Sequence, residues 1–127
     1  MREDDAVQVR WTEVTQDCAD PVRAAEFWQA LLGGEVSEPL PGWRRLRVEG
    51  RPAITFQPVP EPKTVKSRQH LDLEVDDLEE AAALVESLGG RRTGQRHVYD
   101  EGTVEVLQDV EGAEFCLVQL VPGAVLS

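Results

Sequence analysis

Positive charge is the first thing that this sequence has little of. The chain has 13 lysines and arginines against 24 aspartates and glutamates, which gives a formal net charge of −11. Phosphate backbones and anionic membrane surfaces are bound through basic patches, and a strongly acidic chain is repelled by both. The composition therefore predicts no nucleic-acid partner and no membrane partner.

Cysteine and long apolar runs are also scarce. No run approaches the ~18 apolar residues of a membrane-spanning helix, and the acidic start, MREDDAVQVR, lacks the apolar core of a signal peptide. These absences predict a cytoplasmic location, where the two cysteines, Cys18 and Cys116, stay reduced. A disulfide between them is the alternative that the sequence leaves open. Glycine-rich phosphate loops, serine nucleophile elbows and Cys-x-x-Cys pairs do not occur.

A duplicated pattern is what the sequence does contain. The two copies have, in order, strands at 7–16 and 67–75, acidic N-caps at Asp20 and Asp77, helices at 21–32 and 78–88, and a Gly-Gly pair after each helix. Sliding the first copy by 57 residues places Glu13 on His70 and Asp20 on Asp77. Such a repeat predicts two pseudo-symmetric βαβββ modules, about 7–60 and about 67–121, within a single domain of residues 1–127.

The remaining strands are predicted from alternating polar and apolar residues, and the connections from residues that interrupt strands. Further strands are predicted at 43–48, 53–59, 99–108 and 114–121. The proline-rich stretch at 58–66 cannot continue a central strand, because each proline lacks a backbone donor, so it is predicted to link the modules. The arginine-rich segment 91–97 is interpreted as an exposed connection with His97 on the surface.

The stretch SRQHLDLEV at 67–75 alternates polar and apolar residues. In a strand this pattern places Leu71, Leu73 and Val75 on one face, and His70, Asp72 and Glu74 on the other. The apolar row needs a helix to cover it. The polar row, with one of the chain's two histidines, is left for solvent or for a site.

Three phrases carry a family resemblance: DCADPVRAAEFWQALLGG, ITFQPVPEPKTVKSRQHLDLEV and LQDVEGAEFCLVQL. With them, residues 7–121 resemble the vicinal oxygen chelate superfamily, and in particular its small bacterial glyoxalase-like and bleomycin-resistance-like proteins. The resemblance implies an α+β fold in which two βαβββ modules curve their sheets around a shared cleft, with the helices outside. It does not specify an activity, because this scaffold hosts isomerases, dioxygenases, thiol transferases, epimerases and sequestering proteins.

The resemblance also implies positions for a site. The metal-ligand positions of the family fall on Glu13, on Thr55 or Gln57, on His70 and on Cys116, and threonine and cysteine depart from the usual histidine or glutamate. Glu13, His70 and Cys116 are therefore the candidate ligands for a divalent metal (Zn, Ni, Fe or Mn), and the departures leave open that no metal is bound. The ligand-binding cleft is expected to hold Glu13, Gln57, His70, Asp72 and Cys116.

Asp72 and His70 are the candidate catalytic residues. Partial burial of Asp72 beside Glu74 would raise the pKa of a carboxyl group, as a general base requires. A solvated strand end is the alternative for Asp72.

Three functions remain open at this point. The first is a glyoxalase-like protein that binds a small molecule, with or without catalysis; the second is a metal-dependent lyase, isomerase or dioxygenase; the third is a non-catalytic sequestering or interaction module. The resemblance also implies a homodimer, because relatives commonly pair, and some complete the cleft across the interface.

Overall fold

The computed structural model describes residues 7–8 and 10–124. Most of the acidic amino-terminal stretch (residues 1–6 and 9) and residues 125–127 lie outside the described residues. The first module contains β1 (Glu13–Cys18), α1 (Pro21–Leu32), β2 (Glu35–Ser37), β3 (Arg44–Arg47) and β4 (Ala53–Pro58). The second contains β5 (Asp72–Glu74), α2 (Leu78–Ser87), β6 (Arg91–Tyr99), β7 (Gly102–Gln108) and β8 (Glu114–Leu120).

The two modules have the same topology. One sheet has the order β1-β4-β3-β2 and the other β5-β8-β7-β6. In each sheet the first and last strands of the module pair in parallel and the other pairs are antiparallel. The α+β class and the two βαβββ modules expected from the repeat are confirmed.

Both helices begin where the repeat predicts. The side chains of Asp20 and Asp77 accept hydrogen bonds from the backbone N–H groups of Arg23 (3.1 Å) and Glu80 (3.0 Å), which satisfies donors that the first helical turn leaves free. Gly33 ends α1 with a φ of 77°, a left-handed conformation that glycine adopts without strain. None of the helices in the described part of the chain is long and apolar enough to cross a membrane.

One hydrophobic core takes side chains from both modules. Phe27 and Trp28 of α1 lie edge-on to Phe115 of β8, with ring centroids 6.2 Å and 5.0 Å away. Phe115 and Leu117 alternate with Cys116, which is buried but lies outside this core cluster. Each sheet therefore has a helix side, which is packed in the core, and an opposite side, which we call the open face.

Four strand predictions need correction. The strand predicted at 99–108 begins only at Gly102, as β7, because a turn at 100–101 separates it from Tyr99 of β6. Pairing explains two of the other three. β1 begins at Glu13, not at residue 7, because its partner β4 begins opposite it at Ala53. β5 covers only Asp72–Glu74 of the predicted 67–75, since its ladder with β8 begins at Cys116. The segment interpreted as a connection is strand β6, whose side chains are mostly exposed, so it has no apolar row to signal a strand.

An ion-pair network holds the edge strand β6 to its module. Glu105 of β7 is buried, and its carboxylate accepts hydrogen bonds from Arg92 (2.6 Å) and Arg96 (2.8 Å). Both arginines also bind Glu79 of α2, which ties the helix to the sheet edge. The hydrogen bonds from Arg92 in the first place, and those from Arg96, lower the pKa of Glu105.

Replacing Glu105 should therefore weaken the fold in a pH-dependent way. A carboxyl group whose pKa is lowered on folding contributes stability above its unfolded pKa and loses it as the pH falls towards the folded value. Glu105→Gln should cost about 2 kcal/mol at pH 7 and less at pH 3, measured by urea unfolding at both pH values. Glu101→Gln, in the β6–β7 turn, is the matched control. An equal loss at both pH values would show that the charge of Glu105 does not contribute.

Candidate functional site

Three metal-binding side chains meet on the open face of the second module. The ligand atoms of His70, Asp72 and Cys116 all lie within 4.8 Å of one another. Asp72 and Cys116 are direct partners in the parallel β5–β8 ladder, which the hydrogen bond from Cys116 N–H to the Leu71 carbonyl (2.9 Å) extends. His70 precedes Asp72 by two residues and so points to the same side of the extended chain. We call these three residues the donor group.

The donor group combines an open side with a buried one. His70 and Asp72 are 46% and 56% exposed, and Nε2 of His70 lies 3.2 Å from Oδ1 of Asp72. Cys116 is 6% exposed. Its burial, and then the nearby Asp72 carboxylate, raise the pKa of the thiol to about 11, so the metal-free thiol is protonated at neutral pH. Imidazole, carboxylate and thiolate together fit a borderline divalent cation such as Zn²⁺.

The first module carries a different set at the corresponding positions. In the alignment of the two copies, Glu13 corresponds to His70. Thr55 corresponds to Cys116, because Thr55 pairs with Thr15 in the β1–β4 ladder as Cys116 pairs with Asp72 in the β5–β8 ladder. Glu13 accepts hydrogen bonds from Thr55 and from the Arg45 guanidinium (3.4 Å). Arg45 also donates to the Thr55 hydroxyl (3.0 Å). Among the described residues, Glu13 is therefore paired with a cation of the chain itself, the Arg45 guanidinium, and is not part of the donor group.

Two other residues predicted to line the cleft, Gln57 and Asp72, are half-buried and exposed, respectively. Gln57 lies half-buried at the end of β4, opposite Asp17 in the β1 ladder. Of the two alternatives for Asp72, the structure shows the solvated strand end, because Asp72 and Glu74 are both exposed at the edge strand β5. Asp72 therefore serves the donor group as a neighbour of His70 and Cys116. Both cysteines are free: Cys18 is buried on the helix side, and Cys116 on the open face.

A cavity of about 570 Å³ lies beside the donor group, between the modules. The second module lines it with residues 67–72, which include His70 and Asp72, and with residues 113–115, and the first module lines it with residues of β1, α1 and β4. Its apolar wall is formed by Trp11, Val14, Trp28, Ile54 and Phe115. An aromatic wall with a few polar groups at one end is typical of a small-molecule site, and the volume is within the usual range.

Asp109 fixes the relation between the modules, and the sequence reading did not single it out. Its buried carboxylate accepts hydrogen bonds from Trp28 Nε1 (2.9 Å) and Gln16 Nε2 (3.0 Å) of the first module. The backbone N–H groups of Glu111 (2.8 Å) and Ala113 (2.9 Å) bind its other oxygen. The available signal was the DVEG turn, where an aspartate that bonds the backbone two residues on is common.

Solved structures of the same fold come from several bacteria. A glyoxalase/bleomycin resistance protein/dioxygenase family enzyme from Burkholderia phytofirmans PsJN is 18% identical with a TM-score of 0.75, over 89% of this chain and 100% of that one. FosX, a genomically encoded fosfomycin resistance protein from Listeria monocytogenes, is 14% identical with a TM-score of 0.74, over 91% and 94%. A glyoxalase/bleomycin resistance protein/dioxygenase from Nocardioides is 14% identical with a TM-score of 0.71, over 98% and 91%. At these identities the likeness establishes the fold alone.

The family itself is established by sequence. No curated protein matches the chain. A family model described as a glyoxalase-like domain matches residues 13–118, from the first residue of β1 into β8. That span includes both helices, the donor group and the Asp109 turn. The chain therefore belongs to the glyoxalase-like domain family, in agreement with the vicinal oxygen chelate resemblance of its sequence.

Proposed function

We propose that this chain binds a small molecule in the cavity between its modules and holds a divalent cation with His70, Asp72 and Cys116. The observation that carries the proposal is the convergence of three ligand atoms within 4.8 Å, two of them on residues that line that cavity, His70 and Asp72. The donors differ in type, which favours Zn²⁺, Ni²⁺ or Fe²⁺ over the harder Mn²⁺ because a thiolate is a soft ligand. Such a cation, when bound, would polarise a ligand oxygen.

Residues of the chain itself would position side chains, exclude water and transfer protons. Before the ion binds, the 3.2 Å contact between Asp72 Oδ1 and His70 Nε2 holds the imidazole beside the carboxylate with which it would share the cation. Trp28 and Phe115 exclude water from the inner wall of the cavity, and both are almost fully buried. Within the donor group, His70 and Asp72 have access both to solvent and to the cavity, so a proton transfer to the ligand would pass through one of them.

A sequestering function without catalysis is the second candidate. The apolar and aromatic wall of the cavity favours it, since such a wall can retain an apolar ligand with no metal at all. A lyase, isomerase or dioxygenase activity would require the cation in addition. Metal binding therefore separates the enzyme from the sequestering protein.

Titration of chelator-treated protein with Zn²⁺ alone tests the proposal. We expect saturable binding of one ion per chain and a rise in Tm, because a ligand that binds only the folded state stabilises it. The affinity should increase with pH, because the Cys116 thiol must lose its proton to bind. A melt that Zn²⁺ leaves unchanged, while bleomycin or fosfomycin raises it, would reject the metal and support sequestration. If none of these probes binds, the small-molecule function is wrong.

We also propose a homodimer, as the resemblance implies, and a cytoplasmic location, as the sequence composition predicts. Light scattering at micromolar concentration should give twice the mass of the 127-residue chain, and a monomer would reject the pairing. Fractionation of cells of the source organism tests the compartment, and recovery of the protein outside the cytoplasm would contradict it.

A further inference from the structure

A second and larger cavity lies on the other side of Glu114 from the first. Its volume is about 960 Å³, and it is lined by the linker at 63–66, the start of β6, the end of β7 and the turn at 109–112. We call it the linker cavity. Val106, which lines it, is the direct partner of Cys116 in the β7–β8 ladder, so the linker cavity begins one residue away from the donor group.

The acidic side chains of the linker cavity are all engaged by the protein itself. Asp109 holds Trp28, Gln16 and its own turn, as described above. Glu111 accepts hydrogen bonds from the backbone N–H groups of Ala19 (2.7 Å) and Asp20 (3.1 Å). Glu114 accepts bonds from Ser67 N–H (2.8 Å) and from Lys63, at 3.0 Å and 3.1 Å to its two oxygens.

The pKa of Glu114 shows how strongly hydrogen bonds within the protein stabilise its ionised carboxylate. Its burial alone would raise the pKa, but the hydrogen bonds from Ser67 and Lys63 outweigh that effect and lower the pKa to about 2. Glu114 is therefore ionised over the whole physiological range and remains paired. The acids of the linker cavity leave little negative charge to attract a further cation.

Two of the four basic side chains in the linker cavity have no acidic partner. Lys63 is paired with Glu114, and Arg92 with Glu79 and Glu105. Within residues 7–8 and 10–124, Arg91 bonds only the neutral Gln108 side chain (2.6 Å and 3.2 Å), and Lys66 has no hydrogen-bond or ion-pair partner. In a chain with nearly two acids for each base, two such cations facing one cavity need an explanation.

We propose that the linker cavity binds a small oxyanion, a carboxylate, phosphate or phosphonate group, between Lys66 and Arg91. The planar guanidinium of Arg91 can present two N–H groups to such a group, and Lys66 adds a second positive charge from the linker side. The proposal goes beyond the proposed function, because the linker cavity is separate from the cavity between the modules and would be a second ligand site. The ligand class is a small anion.

The test uses the full chain in EDTA, so that anion binding is measured without any metal. The probes are inorganic phosphate, methylphosphonate and succinate, titrated by isothermal calorimetry or by NMR shifts of the Arg91 and Lys66 amides. We expect saturable binding, with a preference among the probes that identifies the oxyanion. Lys66→Gln and Arg91→Gln should each weaken binding severalfold, and the double variant about tenfold or more, the loss expected for removing charge-assisted hydrogen bonds at an exposed site.

Arg51→Gln is the matched control, because Arg51 lies in the β3–β4 turn of the other module and its guanidinium, in the part of the chain that the structure describes, bonds only the Gly50 carbonyl. It removes the same charge from the same acidic chain and should leave anion binding unchanged. If Arg51→Gln weakened anion binding as much as Lys66→Gln does, the effect would come from the net charge of the chain. That result would overturn the proposal. Binding that survives the double variant, or no binding at millimolar anion, would also overturn it.

The failure of this proposal can be told from a failure of the metal proposal. Zn²⁺ titration of Arg91→Gln should match that of the wild type, because Arg91 does not belong to the donor group, whereas Lys66 lowers the pKa of the Cys116 thiol and is not used for this comparison. Anion binding in EDTA together with no Zn²⁺ binding would keep the oxyanion site and reject the metal. Zn²⁺ binding without anion binding would do the reverse.

Discussion

Asp109→Ala should destabilise the protein by about 3–5 kcal/mol, which is a large share of the stability of a domain this size. The substitution removes one carboxylate and leaves four N–H donors without their acceptor. The Trp28 indole is the costliest of them, because Trp28 is 2% exposed and no water can replace the lost acceptor without opening the core. Urea unfolding at pH 7 measures the change.

Asp100→Ala is the control for charge. Asp100 is exposed in the β6–β7 turn, so its loss removes the same negative charge at a cost of less than about 0.5 kcal/mol. Asp109→Asn should fall between the two, because the amide keeps one acceptor for the turn but presents N–H groups to other donors. If Asp109→Ala and Asp100→Ala unfold at the same urea concentration, the bonds to Asp109 do not hold the modules together.

His70→Ala should weaken the binding of Zn²⁺ or Co²⁺ by about 100-fold or more, since changes to the partners of metal ligands already cost 10–100-fold. Cys116→Ala should have an effect of the same order and should also abolish the thiolate-to-Co²⁺ absorption band. Both substitutions remove one of three donors, and two remaining donors cannot close a coordination shell around the ion. Competition with a chromophoric chelator measures the affinities.

His97→Ala provides the matched control, because His97 is the other histidine of the chain and lies exposed on β6. Its affinity for Zn²⁺ should equal that of the wild type. Glu13→Gln should also leave the affinity unchanged, since Glu13 is paired with Arg45 and Thr55. A loss of affinity in Glu13→Gln would instead place Glu13 on the metal, as the family resemblance implied. Equal affinities of His70→Ala and His97→Ala would contradict the metal site.

The fold was accessible from sequence because its signals are local and occur twice. Asp20 and Asp77 act as N-caps through their own side chains, so their role can be read without any distant partner. The repeat then required the same topology in both halves. Strand β6 was missed for the opposite reason. It is held in place by ion pairs with Glu105 and Glu79, which lie outside the strand. From sequence alone, a charged stretch that depends on such partners cannot be distinguished from a loop.

The candidate site was only partly accessible. His70, Asp72 and Cys116 were all named in advance, because alternation and the family pattern place them on the same face of neighbouring strands. The sequence could not show that Glu13 lies outside the donor group, because Glu13 is paired with Arg45 and no local pattern reveals which acid an arginine pairs with. The charge balance of the linker cavity is likewise a property of side chains brought together by folding.

The Arg45 cluster has a consequence for how the two halves respond to their surroundings. In the first half the compensating cation is covalently part of the chain, so neither chelators nor a shortage of ions can remove it. At the matching place in the second half stands Val106, which carries no charge, so under the proposed function the positive charge would come from an ion in solution. The charge balance of the first half is then fixed by the chain, while the occupancy of the second half would follow the supply of free ions.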